Sequence, residues 1–175
     1  MKTIFIILIS FILTNCTGNK MKPIDFKDQK PRLIIEDYLS GNVKAWGLLQ
    51  NRSGKVIRQF SADLIGEWDG KKLVLDEKFN WSDGEIQTRQ WTITKIDEHN
   101  YEGIAGDVVG KAVGYSYGPA FKFEYVLLVP VKGKNMKITF DDWIFKQDDK
   151  VAINRATMTK FGIKVGELTV LFQKD

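Results

Sequence analysis

Acidic residues and arginines recur in this chain where strand alternation places them among large apolar side chains. In "LVLDEKFNWSDGEIQTRQWTI", residues 73–93, the turn Ser82-Asp83-Gly84 reads as a three-residue hairpin loop with Gly84 left-handed. That loop sets Trp81 opposite Glu85, Phe79 opposite Gln87, Glu77 opposite Arg89, Leu75 opposite Trp91 and Leu73 opposite Ile93. A two-residue loop would shift the pairing by one and divide the apolar set between two faces. Glu77 and Arg89 are therefore expected to meet on the face that carries Leu75 and Trp91.

A comparable set lies nearer the C-terminus. An even number of loop residues between Phe145 and Ala152 would put Asp142 opposite Arg155, with Phe140, Ile144 and Ile153 on the same face. The neighbouring face would hold Asp141, Trp143, Phe145, Asn154 and Met158. Asp107 is a further acid, set in the small and apolar stretch "GIAGDVVGKAVG". Buried ion pairs are weak stability devices and are often neutral against apolar replacements. These charges can fix register at a barrel rim, contact the polar part of a ligand, or serve as acid and base in catalysis. The first reading is structural, and the sequence leaves all three open. The candidate ligand-contacting set is Glu77, Arg89, Trp91, Asp107, Phe123, Tyr125, Asp142, Trp143, Asn154 and Arg155.

Other chemistries are poorly supported. "GDVVGKA" resembles a phosphate loop only faintly: one residue is missing between its glycines, and Ala112 stands where Ser or Thr would bind the metal. His99 is the only histidine and lies in the polar turn "DEHN". With no second His, a histidine-based metal site is not expected, and no motif for another cofactor is present. There are 26 Lys and Arg against 22 Asp and Glu, a net charge of +4. The basic residues are scattered, which argues against nucleic acid.

The elements that would position these residues are mostly strands. Residues 43–50, 55–68, 71–81, 85–97, 100–109, 121–131, 136–146, 151–160 and 164–173 all read as β, with Gly-, Asn- and Asp-rich turns between them. Phe121, Phe123, Tyr125, Leu127 and Val129 alternate with Lys122 and Glu124, so one face is apolar. "PRLIIEDYLSG", residues 31–41, could form one short helix before the first strand. The expectation is an all-β antiparallel meander of about eight to ten strands, closing as a sandwich or barrel. A barrel of about eight strands either fills with side chains or admits one small ligand.

The N-terminus addresses location. Met1-Lys2 precede an apolar run over residues 4–13, about ten residues, where a bilayer-spanning helix needs roughly twenty. The run has the length of a secretory h-region. Leu13-Thr14-Asn15-Cys16 follows and holds the only cysteine. It resembles the lipobox of bacterial lipoproteins, although Asn15 stands where Gly, Ala or Ser is usual. The resemblance implies cleavage before Cys16, acylation of its sulfur and amine, and membrane anchoring. Two or more acyl chains hold a protein firmly where one is marginal. Thr17 in place of Asp implies the outer membrane, facing the periplasm. The expected organisation is a leader over 1–15, a polar tether over 16–31 and one β domain over 32–175.

"YLSGNVKAWGLLQNRSGKVIRQF", "DGEIQTRQW", "AGDVVGKAVG", "FDDWIF" and "NRATMTKFG", taken in order, resemble an uncharacterised family of bacterial lipoproteins classed as a domain of unknown function. The resemblance runs from about residue 34 nearly to the end. Its motif residues include Trp46, Arg89, Asp107, Asp141, Asp142, Trp143, Asn154, Arg155 and Lys160. It implies a lipocalin-like, calycin-type barrel and no established activity. Gly41 and Trp46 stand near the place of the lipocalin entry motif, with wider spacing. The resulting expectation is an envelope lipoprotein whose barrel binds an apolar or amphipathic small molecule, a lipid or fatty acid. The alternatives are an enzyme acting on such a molecule through Glu77, Asp107 or Asp142, and an interaction module with a filled core.

Cys16→Ser should leave the precursor uncleaved or release the protein from membranes. Fractionation of cells expressing the variant checks this. A Cys16→Ser protein processed normally and still membrane-bound would contradict acylation at this position.

Overall fold

The computed structural model describes residues 20–131 and 133–175; Cys16 and the leader lie outside them. Ten strands form one closed antiparallel barrel. They are β1 (Gly41–Asn51), β2 (Val56–Trp68), β3 (Lys72–Trp81), β4 (Ile86–Lys95), β5 (Asn100–Ala105), β6 (Ala112–Tyr117), β7 (Ala120–Val131), β8 (Lys134–Lys146), β9 (Val151–Lys160) and β10 (Ile163–Lys174). Each strand pairs with the next, and β10 returns to pair with β1. Closure removes the unpaired edges that an open sheet would expose.

The β3–β4 register matches the sequence expectation. Glu77 pairs with Arg89, Leu75 with Trp91 and Leu73 with Ile93. Gly84 takes φ +87 in the connecting loop. The β8–β9 register does not match. Asp142 pairs with Ala156 and Trp143 with Arg155, so Arg155 is not opposite Asp142. The loop is odd: the Gln147 amide donates to the Val151 carbonyl at 2.8 Å around Asp148, Asp149 and Lys150. The Asp148 carboxylate sets that count by accepting from the amides of Lys150 and Val151, both at 2.8 Å. Side chains alternate across a strand, so the odd loop turns Asn154 and Met158 inward and Ile153 and Arg155 outward.

One strand was not foreseen. β6, "AVGYSY", is short and small, and falls between the expected strands 100–109 and 121–131. The small residues make room for rings. A Cβ on Gly103 would meet the Phe123 ring at 2.4 Å, and one on Gly114 would meet the Phe121 ring at 2.9 Å.

Residues 33–40 plug one end of the barrel. Only Ile35–Tyr38 are helical, fewer than the segment 31–41 suggests. The residues before them are committed to the sheet instead: the Leu33 amide donates to the Gly118 carbonyl at 2.8 Å, and the Ser116 hydroxyl to the Leu33 carbonyl at 2.9 Å. Leu33 and Ile35 are fully buried. Glu36 is also buried and accepts from Lys95 and, at 2.9 Å, from the Tyr101 hydroxyl. Burial raises the Glu36 pKa, but the bonds from Lys95 and Tyr101 outweigh it and hold the carboxyl below its usual range. The Lys174 ammonium donates to the carbonyls of Asp37 at 2.8 Å and Ser40 at 2.5 Å, satisfying acceptors that a helix end leaves open.

The polar stretch read as a tether is in part a strap. Pro23–Phe26 form a 3-10 turn. Phe26 packs on Trp143 at 6.0 Å and on Phe145 at 5.4 Å between ring centroids. The chain thus reaches the barrel at its plugged end.

Candidate functional site

The barrel interior is largely filled by rings. Trp91 packs on Phe123 at 5.2 Å and on Tyr125 at 5.3 Å, and Tyr125 stacks on Phe140 at 5.1 Å. Among the described residues two cavities open within it. An inner chamber of about 110 Å³ is walled by aromatic and aliphatic side chains together with Glu77, Arg89, Tyr125, Asp142 and Asn154. A mouth of about 390 Å³ opens at the end opposite the plug, where Trp81, Gln87, Asp107 and Pro130 lie. Phe60, Phe79, Arg89, Tyr125 and Leu168 line both and form the waist between them.

A polar cluster sits at this waist. Arg89 comes from the middle of β4, and its side chain is 17% exposed. Asp107 reaches it from the β5–β6 loop: Nε donates at 3.1 Å and Nη2 at 2.8 Å to the Asp107 carboxylate. Nη1 lies 3.7 Å from Glu77 Oε2, close enough for charge attraction but not for a hydrogen bond. Glu77 Oε2 has no hydrogen-bond partner among the described residues and is shielded from solvent. On the far wall the Tyr125 hydroxyl donates to Asp142 at 2.8 Å. The Asn154 amide donates to Asp142 and, at 3.1 Å, to the Trp143 carbonyl.

Three carboxylates here face one guanidinium. Burial pushes the Glu77 carboxyl up to about 7 against the pull of Arg89, with Asp107 and Asp142 adding to the rise and the nearby Trp91 indole opposing it. Burial likewise lifts Asp142 to about 6, although bonds from Tyr125 and Asn154 favour its ionised form. The same causes, burial and the Asp142 charge, raise the Tyr125 hydroxyl well above its usual value. The Arg89 guanidinium is held above its ordinary range: burial lowers it, but Glu77 and Asp107 more than compensate.

Of the sequence candidates, Glu77, Arg89, Trp91, Asp107, Phe123, Tyr125, Asp142 and Asn154 meet in and around these cavities. Arg155 does not. It lies on the outer face, largely exposed, and pairs with Glu167. Trp143 is also outside the barrel wall; it is buried because the strap covers it, and its indole donates to Asp141 at 2.8 Å. His99 stacks on Tyr117 at 4.1 Å, away from the cavities. Sequence reasoning missed Phe60, Phe79 and Leu168 as waist residues. Alternation along β2, β3 and β10 carried that signal. No group of metal-ligating side chains is found among the described residues.

A family model described as "Protein of unknown function (DUF3833)" matches residues 10–174. No curated protein matches the chain. Among solved structures, a protein of unknown function from the DUF3598 family of Nostoc punctiforme is similar at TM-score 0.62 and 15% identity. The match covers 84% of this chain and 51% of that one, so this chain spans about half its length. The S-type phycobiliprotein lyase CPES from Guillardia theta is similar at TM-score 0.60 and 8% identity, over 80% of this chain and 90% of that one. At such identities the likeness speaks for the fold.

Ionised Glu77 is a cost to the folded state. Its carboxyl titrates near 4.5 when exposed and at about 7 here. A raised folded pKa means that stability falls as pH rises between those values, by roughly 3 kcal/mol in all. Glu77→Gln should therefore be more stable than the parent at pH 8 and nearly equal to it at pH 4. Urea unfolding of both proteins at the two pH values measures this. A variant less stable at pH 8 would show that the ionised carboxylate stabilises the barrel.

Proposed function

This chain belongs to the DUF3833 family, and we propose that it is a lipid-anchored envelope protein that holds one amphipathic, lipid-like molecule in its barrel. The observation that carries this reading is the pair of cavities joined at a polar waist inside an otherwise aromatic interior. Ligand sites of this type are mostly apolar with a few placed polar groups. A core needed only for stability gains little from buried charge. The apolar body of the ligand lies along Phe60, Phe79 and Leu168, and its polar head meets the cluster at the waist.

Anchoring rests on the lipobox-like tetrad ending at Cys16, which falls within the span matched by the family model. Thr17 after the cysteine favours the outer membrane, on its periplasmic side. The chain meets the barrel at the plugged end, which leaves the mouth free for exchange. A second reading, acid–base catalysis on the bound molecule, is favoured by Asp142. Burial lifts it to about 6, with bonds from Tyr125 and Asn154 and, among the described residues, no basic side chain bonded to it. Under that reading Asp142→Asn would retain the ligand and accumulate it unaltered.

Native mass spectrometry of the mature protein extracted from its own membrane tests the binding reading. The expected result is a lipid-sized mass beyond the covalent acyl chains, released on activation and absent from Leu168→Trp, which fills the waist. Added ligand should also raise the unfolding midpoint, since about 100 times Kd of ligand contributes roughly 2.7 kcal/mol. A protein that carries no adduct and is stabilised by no lipid tested would contradict this reading.

A further inference from the structure

The polar waist also constrains the head group, given the reading that an amphipathic molecule occupies the barrel. Arg89 is the natural receptor for an anionic head, but its fork is engaged. Nε and Nη2 are held by Asp107, and Nη1 faces Glu77. Among the described residues Arg89 is the single cation lining the inner chamber, which also holds the carboxylates of Glu77 and Asp142. With Asp107 at the mouth side, the cluster carries more negative charge than it neutralises. An entering carboxylate would add a like charge, and like-charge juxtaposition costs several kcal/mol.

The unmet requirement is for a donor. Glu77 Oε2 is screened from solvent and accepts no hydrogen bond from the described residues. A buried acceptor without a partner costs roughly 1–3 kcal/mol, and more when it is charged. We propose that the inner chamber receives the protonated amine head of an amphipathic amine, donating to Glu77 and Asp142. A primary ammonium has three donors and no acceptor. It meets the orphaned oxygen, balances the two carboxylates and leaves the Arg89–Asp107 pair intact. The net charge of the whole chain is +4, so bulk electrostatics would favour anions. A preference for amines must therefore come from the chamber.

The groups facing this position are Glu77 on β3, Arg89 on β4, Asp107 on the β5–β6 loop, Tyr125 on β7, Asp142 on β8 and Asn154 on β9. Arg58 and Glu85 lie further out, at the mouth. Amine binding should strengthen as pH rises and Asp142 and then Glu77 ionise. A carboxylate ligand should show the opposite trend.

The test is calorimetric titration of the mature protein in nanodiscs with hexylamine, hexanol and hexanoate, against empty nanodiscs. At pH 8 hexylamine should bind at least about tenfold more tightly than hexanoate, and its affinity should fall at pH 5.5. Glu77→Gln and, separately, Asp142→Asn should each weaken hexylamine at least about tenfold while changing hexanol little. Hexanoate binding as tightly as hexylamine, or both folded variants retaining full amine affinity, would overturn the amine assignment while leaving the barrel a binder. Binding of none of the three would overturn the ligand-binding reading, and the amine assignment with it.

Discussion

A guanidinium taken out of water has to be met by acceptors, and in this barrel Arg89 is met by more negative charge than it can neutralise. Asp107 takes two of its nitrogens, and Glu77 stands opposite the third. Asp142 adds a further acid across the chamber, bonded by neutral donors only among the described residues. Burial disfavours the ionised carboxylates, and the nearby acids disfavour one another. The interior is therefore electrostatically incomplete as it stands. The functional reading depends on this imbalance more than on the barrel, which many unrelated activities share.

The barrel makes the imbalance sustainable. Closure of β10 onto β1 encloses the cluster, and the plug over residues 33–40 keeps water out at one end. Glycines opposite the largest rings determine how the interior fills. Gly47 lets the Phe60 ring approach its strand, and Gly103 does the same for Phe123. The rings occupy much of the interior and leave a chamber that the charged residues help to wall. The β5–β6 loop carries Asp107 to the waist through the bridge between Val108 and Leu127. A short, glycine-rich segment thereby delivers the carboxylate that holds Arg89.

Much of this is written locally. The Ser82-Asp83-Gly84 turn and the apolar set around it specify the β3–β4 register, because only one pairing collects those residues on one face. Glu77 and Arg89 follow from that register. The β8–β9 pairing is less legible. Whether Asn154 or Arg155 points inward depends on the parity of one loop, and parity is set by a side-chain bond from Asp148 that spacing alone does not reveal. Trp143, a ligand-contacting candidate in the sequence, is buried, but on the outer wall, under a strap from far away in sequence. β6 is hidden for a related reason: Gly114 makes room for the Phe121 and Phe123 rings and Ser116 bonds the Leu33 carbonyl, so neither is there for strand propensity. The Asp107–Arg89 contact, which joins a loop to a strand interior, becomes visible only in three dimensions.

The chemistry of the barrel turns on carboxyl groups at the waist being displaced far from their solution behaviour. Carbon-13 NMR titration of the side-chain carboxyls, assigned with Glu77→Gln and Asp142→Asn, measures this directly. The expected result is a Glu77 carboxyl titrating at about 7 and an Asp142 carboxyl at about 6. Both groups titrating at or below the ordinary values of 4.5 and 3.8 would show instead that the charges at the waist are already balanced without a ligand's donor.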